Sequence, residues 1–247
     1  MTALRRRHEA LRTLDLETRT TSNLGDQRVT GTVSMLVDRA GRLRFEAEAP
    51  LKGTIAALTV NTSGFALVDL DRKVFSKGPA CPENVAALVG MPLAPEEITA
   101  ILLGDAPLGA GARAVGVQWD ERLGADVLAI ERPPAGEGAT RLWITMRRGR
   151  QVDDQVLAVQ VLAVQGQSPW ASGRWRVSYD DLEATPAGPH PALIRFAEPG
   201  RSFDEGVAVK VKHRMGVNLS LRDDVFSLSP TPGFRLELRP CPPPRPQ

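Results

Sequence analysis

Residues 28–47 read RVTGTVSMLVDRAGRLRFEA, and this stretch decides the fold. Val29, Gly31, Val33, Met35 and Val37 alternate with Arg28, Thr30, Thr32 and Ser34, the period-two pattern of a half-buried strand. Asp38-Arg39-Ala40-Gly41 supplies a hairpin loop, with Gly41 suited to a positive φ. Leu43, Phe45 and Ala47 then alternate with Arg44, Glu46 and Glu48. The two segments make an antiparallel pair with one wet face.

Moving outward, Ile55-Ala56-Ala57-Leu58-Thr59-Val60 is apolar on both faces, so this strand is expected to be covered on both. Asn61 to Gly64 turns the chain and Phe65 to Leu70 returns it. Two short helices follow. Pro82 sits where a first helical residue tolerates proline, Val85, Leu88 and Val89 mark one face, and Gly90 closes it. Pro95, Glu96 and Glu97 open the second with acid at its positive end, Ile98, Ile101 and Leu102 form its stripe, and Gly104 stops it. Seven strands are predicted beyond: Ala114–Trp119, Ala125–Glu131, Thr140–Arg147, Gln155–Val164, Arg174–Tyr179, Ala192–Ala197 and Gly206–Val217. Their turn-separated spacing points to a large curved antiparallel sheet or barrel, not to βαβ units. Toward the start, Leu4, Leu11 and Leu14 fall near one face of a predicted N-terminal helix, and from Asp15 onward the pattern changes to period two. No internal repeat or linker occurs, which predicts one domain over 1–239, followed by a Pro-rich disordered tail at 240–247.

Composition narrows the function. The 247 residues are 42% hydrophobic and 24% charged, ordinary for a globular protein. Lysine plus arginine is 31 against 29 acids, net +2, and this balance gives no sign of a nucleic-acid face. Arg5-Arg6-Arg7, the densest basic cluster, reads as a solvated helix face or as a weak contact with anionic headgroups. No run of about 18 apolar residues exists to span a bilayer. Met1 to Leu14 carries the charges of a signal peptide without its apolar region, so the chain is cytoplasmic or begins after an export signal. Cys81 and Cys241, each beside proline, fit one disulfide in an oxidising compartment or two unrelated thiols.

No catalytic constellation emerges. His8, His190 and His213, placed on a helix, a loop and a strand end, lie at no metal-ligand spacing, and no nucleophile elbow or phosphate loop occurs. Asp153-Asp154, Asp180-Asp181 and Asp223-Asp224 could supply a glycosidase pair, but turn-like surroundings favour solvated residues. We expect no enzyme, no cofactor and no metal. The two helices are too short to stand alone and must lie on the sheet. They then make either a plain core or a cavity lined by Phe45, Leu58, Phe65, Leu88, Met91, Ile101, Leu102 and Trp119.

One ordered series of motifs goes further. From Leu43 to Pro107 the antiparallel pair runs into Ala49-Pro50-Leu51-Lys52-Gly53-Thr54, then the two-sided apolar strand, then Gly64-Phe65-Ala66-Leu67-Val68-Asp69. A short polar hairpin leads to Val85-Ala86-Ala87-Leu88-Val89-Gly90-Met91-Pro92-Leu93 and Ile101-Leu102-Leu103-Gly104-Asp105-Ala106-Pro107. This order resembles the LolB/LolA outer-membrane lipoprotein localisation family, over about 65 residues. The resemblance implies a mainly β (α+β) fold: a single incomplete, strongly curved antiparallel β-barrel, with helices covering its open concave side. It implies an apolar interior for lipoprotein acyl chains and a periplasmic, outer-membrane-associated location. The chain departs from the family in having no lipidation cysteine before the domain and an inserted Lys52 in the loop.

The expected function is therefore non-catalytic binding of acyl chains and LolB-like delivery of lipoproteins to the outer membrane. The alternatives are a LolA-like soluble periplasmic shuttle and a cell-envelope binding or structural domain with a filled core. Partners would be acylated lipoproteins or lipid, a periplasmic carrier protein and the outer-membrane surface, with no nucleic acid. Pro50, Leu51, Lys52 and Gly53 are expected to form a membrane-inserting loop, against the alternative that Leu51 folds back onto the core.

Overall fold

The computed structural model describes residues 6, 8–24, 27–132, 140–148, 156–164 and 173–243. Contacts divide the chain into two compact units. The N-terminal unit comprises Arg12–Thr99 and Val209–Gln247, and the central unit comprises Met1–Leu11 and Ala100–Ala208. The chain is mainly β with short helices. Among the described residues there are fourteen strands.

The N-terminal unit begins with β1 (Thr13–Leu24), β2 (Gln27–Asp38), β3 (Arg42–Ala49), β4 (Gly53–Asn61), β5 (Gly64–Asp69) and β6 (Val74–Gly78). These form an antiparallel meander in chain order. Helix α1 (Pro82–Val89) follows, and α2 (Pro95–Leu102) crosses into the central unit. Register aligns two buried rows across five strands. One is Leu14–Val37–Leu43–Val60–Phe65 and the other is Leu16–Met35–Phe45–Leu58–Leu67. Nine of these ten side chains are at most 3% exposed, Leu67 being half-buried, and each full burial contributes roughly 1.5–3 kcal/mol.

Strand β4 is covered on both faces, for an identifiable reason. Its other face meets the segment after β13 (Val207–Val217), which includes a 3₁₀ turn at Asp223–Phe226. Arg44 donates to the Val225 carbonyl at 2.8 Å, and Asn61 Nδ2 to that of Phe226 at 2.8 Å. The fully buried Phe226 ring lies 4.8 Å under the Arg42 guanidinium, which also pairs with Asp38 and Asp223. The segment ends in β14 (Arg235–Leu238), parallel to β6. A Cβ on Gly78 would strike the Arg239 carbonyl, so only glycine lets the chain after β14 approach.

The central unit holds β7 (Arg113–Asp120), β8 (Ala125–Arg132), β9 (Thr140–Arg148), β10 (Val156–Val164), β11 (Gly173–Glu183) and β12 (His190–Ala197). They too form an antiparallel meander, with bulges in β7–β8, β9–β10 and β10–β11 that bend the strands. Among the described residues neither unit's own sheet closes on itself.

Several expectations need correcting. Helix at the start is confined among the described residues to residue 6 and residues 8–10, and Leu14 belongs to β1, while Leu4 lies outside the described residues. Strand β1 takes over because its inward positions continue the buried alternation: Leu14, Leu16, Thr18, Thr20 and Ser22. The polar hairpin after β5 contains the buried strand β6. The Pro-rich end is tied down at Cys241, and residues 244–247 lie outside the described residues. His190 opens strand β12 and is fully buried. Asp180 and Asp181 lie within β11, where Asp180 accepts from Arg195 at 2.7 Å.

Candidate functional site

The β3–β4 hairpin presents the expected loop. The Lys52 amide donates to the Ala49 carbonyl at 3.2 Å, closing a turn with Pro50 and Leu51 at its centre. Proline supplies the fixed φ of the first central position, and Leu51 takes the second with φ 67°, where such a turn favours glycine. A left-handed leucine costs about 1–2 kcal/mol. Its side chain recovers nothing from packing, because Leu51 is fully exposed at 108%. Gly53, at φ 73° with open space around it, frees the return strand. Lys52 reaches Asp71 at 3.4 Å, an exposed pair of small energetic weight. The structure thus places Pro50, Leu51, Lys52 and Gly53 together at a projecting tip.

The apolar residues expected around a cavity separate into groups. Phe45 and Leu58 are direct cross-strand partners and Phe65 sits in the neighbouring row. These three and Met91 are at most 3% exposed, and Leu88 on α1 is half-buried. Gly90, at φ 72°, caps α1 by donating to the Ala86 carbonyl, and the chain enters Met91 from there. Ile101 and Leu102 are fully buried at the end of α2. In the central unit, His190 Nε2 lies 2.9 Å from the Leu102 carbonyl, and because a carbonyl only accepts, that nitrogen carries the proton. Tyr179 donates to the Asp105 carbonyl at 2.7 Å. Trp119 belongs to the central unit. It lies on β7, which among the described residues pairs with β8 alone, and is 61% exposed, so it is not part of the buried group.

Open space lies elsewhere in the N-terminal unit. A cleft of about 830 Å³ runs over Thr59, Ala66, Phe75 and Lys77, under Leu228 and beside Leu238. Thr59, Ala66 and Lys77 form one cross-strand row, on the face opposite Leu58 and Val60. Of the eight residues proposed from sequence, Phe65 alone lines this cleft, from the sheet's end. Its other wall is built from residues 227–241, whose position no local pattern announces. The disulfide Cys81–Cys241 closes one end. Behind it Asn84, buried in α1, donates to the carbonyls of Pro79 and Arg239 at 2.9 and 3.1 Å.

The charged side chains serve the framework. Glu131 on β8 accepts from Arg113 on β7 and Arg141 on β9, and these bonds hold its carboxyl below the usual range. Among the described residues no three histidine, cysteine or acidic side chains gather as a metal site, and no helix is long and apolar enough to cross a membrane. The pair Asp153-Asp154 lies outside the described residues.

No protein-family model matches the chain, and no curated sequence does. Solved structures do. An outer membrane lipoprotein-sorting protein domain from Vibrio parahaemolyticus superposes with a TM-score of 0.60 at 9% identity, covering 91% of this chain and 94% of that one. A DUF1329 family protein from Desulfovibrio piger gives 0.62 at 12% identity, with 92% and 95% covered. A LolA superfamily protein from Nitrosomonas europaea gives 0.59 at 9%, with 92% and 96% covered. The resemblance to the LolA/LolB family holds at the level of the fold.

Proposed function

We propose that this chain binds the acyl chains of lipoproteins without chemistry and delivers them to a membrane, with Leu51 as the contact. The observation that carries this reading is the Leu51 tip. A fully exposed leucine in a left-handed turn position is disfavoured twice, by strain and by contact with water. Such a residue persists where another phase receives it. The fold shared with a lipoprotein-sorting domain and a LolA superfamily protein supports the same reading.

The energetics suit a carrier. Each acyl CH₂ withdrawn from water contributes about 0.8 kcal/mol, so a lipidated protein must be shielded until it meets a bilayer. Transfer then requires only that the bilayer bind the chains more tightly than the protein does. In the N-terminal unit, acyl chains would lie near Phe45, Leu58, Phe65, Leu88 and Met91. The Cys81–Cys241 disulfide supports an oxidising compartment, as the periplasm is. A periplasmic carrier protein and the outer-membrane surface complete the proposed set of partners.

A second reading, an envelope binding domain with a filled core, draws on the near-complete burial of Phe45, Leu58, Phe65 and Met91. A fluorescent fatty acid distinguishes the two. Saturable binding, displaced by unlabelled fatty acid, together with co-purifying lipid in a mass spectrum, is expected of the carrier. A protein that shows neither is the filled domain.

A further inference from the structure

We infer that the cleft over Thr59, Ala66 and Lys77 is a second binding site, for an amphipathic anion: an acyl chain ending in a carboxylate or phosphate. The inference goes beyond the proposed function, because this cleft lies on the sheet face opposite Leu58 and Val60.

Size and lining come first. About 830 Å³ falls in the range of small-molecule sites, which are apolar with a few placed polar groups. The floor is nearly dry: Thr59 and Phe75 are each 2% exposed. Leu228, Pro230 and Leu238 belong to the facing wall, and Leu238 is 70% exposed.

Charge then selects the head group. The ionisable residues of the lining are Lys77 and Arg239, both cationic, and the lining contains no carboxylate. Arg239 already has Glu237 at 3.7 Å. Among the described residues no carboxylate pairs with Lys77. Lys77 is exposed in the lining, and a lysine can lay its apolar stem on hydrocarbon while its ammonium meets an anion. The Ser63 and Ser227 hydroxyls stand in the same lining and can donate to the same head group. A purely apolar ligand would leave these groups without a counterpart, and a purely ionic one would leave Phe75 and Leu238 without one.

The test uses the full chain with its disulfide intact and oleate bearing a photoreactive diazirine in its tail. Crosslinks are expected in residues 59–79 and 227–241. Lys77→Glu, an exposed change that leaves the fold alone, should weaken oleate binding at this site about tenfold, and Lys77→Arg should largely preserve it. Oleoyl lysophosphatidate should compete, whereas neutral monoolein should compete poorly. Whichever anion competes better identifies the head group as carboxylate or phosphate. Crosslinks confined to residues 82–102, equal binding by Lys77→Glu, or equal competition by monoolein would overturn the inference. Crosslinking at residues 82–102 alone would do so while leaving the carrier reading intact.

Discussion

Cys81 and Cys241, 160 residues apart in sequence, are joined by a disulfide with their Cα atoms 6.0 Å apart. The bond fastens the chain after β14 to the start of α1, where Asn84 donates to the Arg239 carbonyl and the missing side chain of Gly78 lets that carbonyl approach. Cross-linking so long a loop restricts the unfolded chain strongly.

Reduction should therefore lower stability by about 2–5 kcal/mol. The denaturation midpoint with and without reductant measures it, and Cys81→Ser/Cys241→Ser should reproduce the reduced value. A midpoint indifferent to reductant contradicts a structural role for the bond.

Tyr179→Phe should cost about 1–3 kcal/mol, because the buried Asp105 carbonyl loses its hydroxyl donor while the ring still packs. Urea unfolding of the variant checks this, and a shift under about 0.3 kcal/mol would show that water or a neighbour replaces the bond.

The parts legible in the sequence are those whose signals are local. Pro82 and Gly90 bracket α1, and the structure gives Pro82–Val89, with Gly90 in the left-handed conformation. Alternation around Gly41, at φ 82°, gives the β2–β3 hairpin. Strand β1 is legible only in outline, as a period-two pattern from Asp15 onward, because its buried face turns polar at Thr18, Thr20 and Ser22. Those groups are tolerated through hydrogen bonds, Thr18 to Thr20 and to the Val33 carbonyl, each at 2.9 Å. Strand β14 was missed because it exists only through a parallel partner far away in sequence. Trp119, expected in the lining, is 61% exposed on β7, which among the described residues has a neighbour on one side. The Leu51 loop was readable from Pro50 and Gly53, whereas the cleft, built by residues 227–241, was not.

Acid should weaken the central unit through Glu131. Its carboxyl lies below the usual range when folded, held by hydrogen bonds from Arg113 and then Arg141. A depressed carboxyl contributes stability that is present above the unfolded value, about 4.3, and is lost as pH falls through the folded one. Stability from pH 7 to 3 should fall less steeply in Glu131→Gln, the difference from wild type shrinking below about pH 4.5. Asp15 has the opposite sign: burial raises its carboxyl, so it favours folding more as pH falls. Parallel pH curves for wild type and Glu131→Gln would remove Glu131 from the account.

Gating of acyl entry by the helices requires α1 and α2 to open more readily than the sheet. Amide exchange in the absence of lipid should be faster across Pro82–Val89 and Pro95–Leu102 than across Ile55–Val60. Equal protection in helices and strand would exclude gating by the helices.

Delivery to liposomes by Leu51→Glu tests the central claim most directly. One leucine entering lipid contributes roughly 1.5–3 kcal/mol, enough for transient contact and too little for permanent anchoring. Because Leu51 touches nothing in the fold, the variant should unfold at the wild-type midpoint and bind fatty acid equally well. Transfer of a fluorescent acyl cargo into vesicles of phosphatidylethanolamine and phosphatidylglycerol should nevertheless fall to the rate seen without protein. Wild-type transfer by Leu51→Glu would contradict the account.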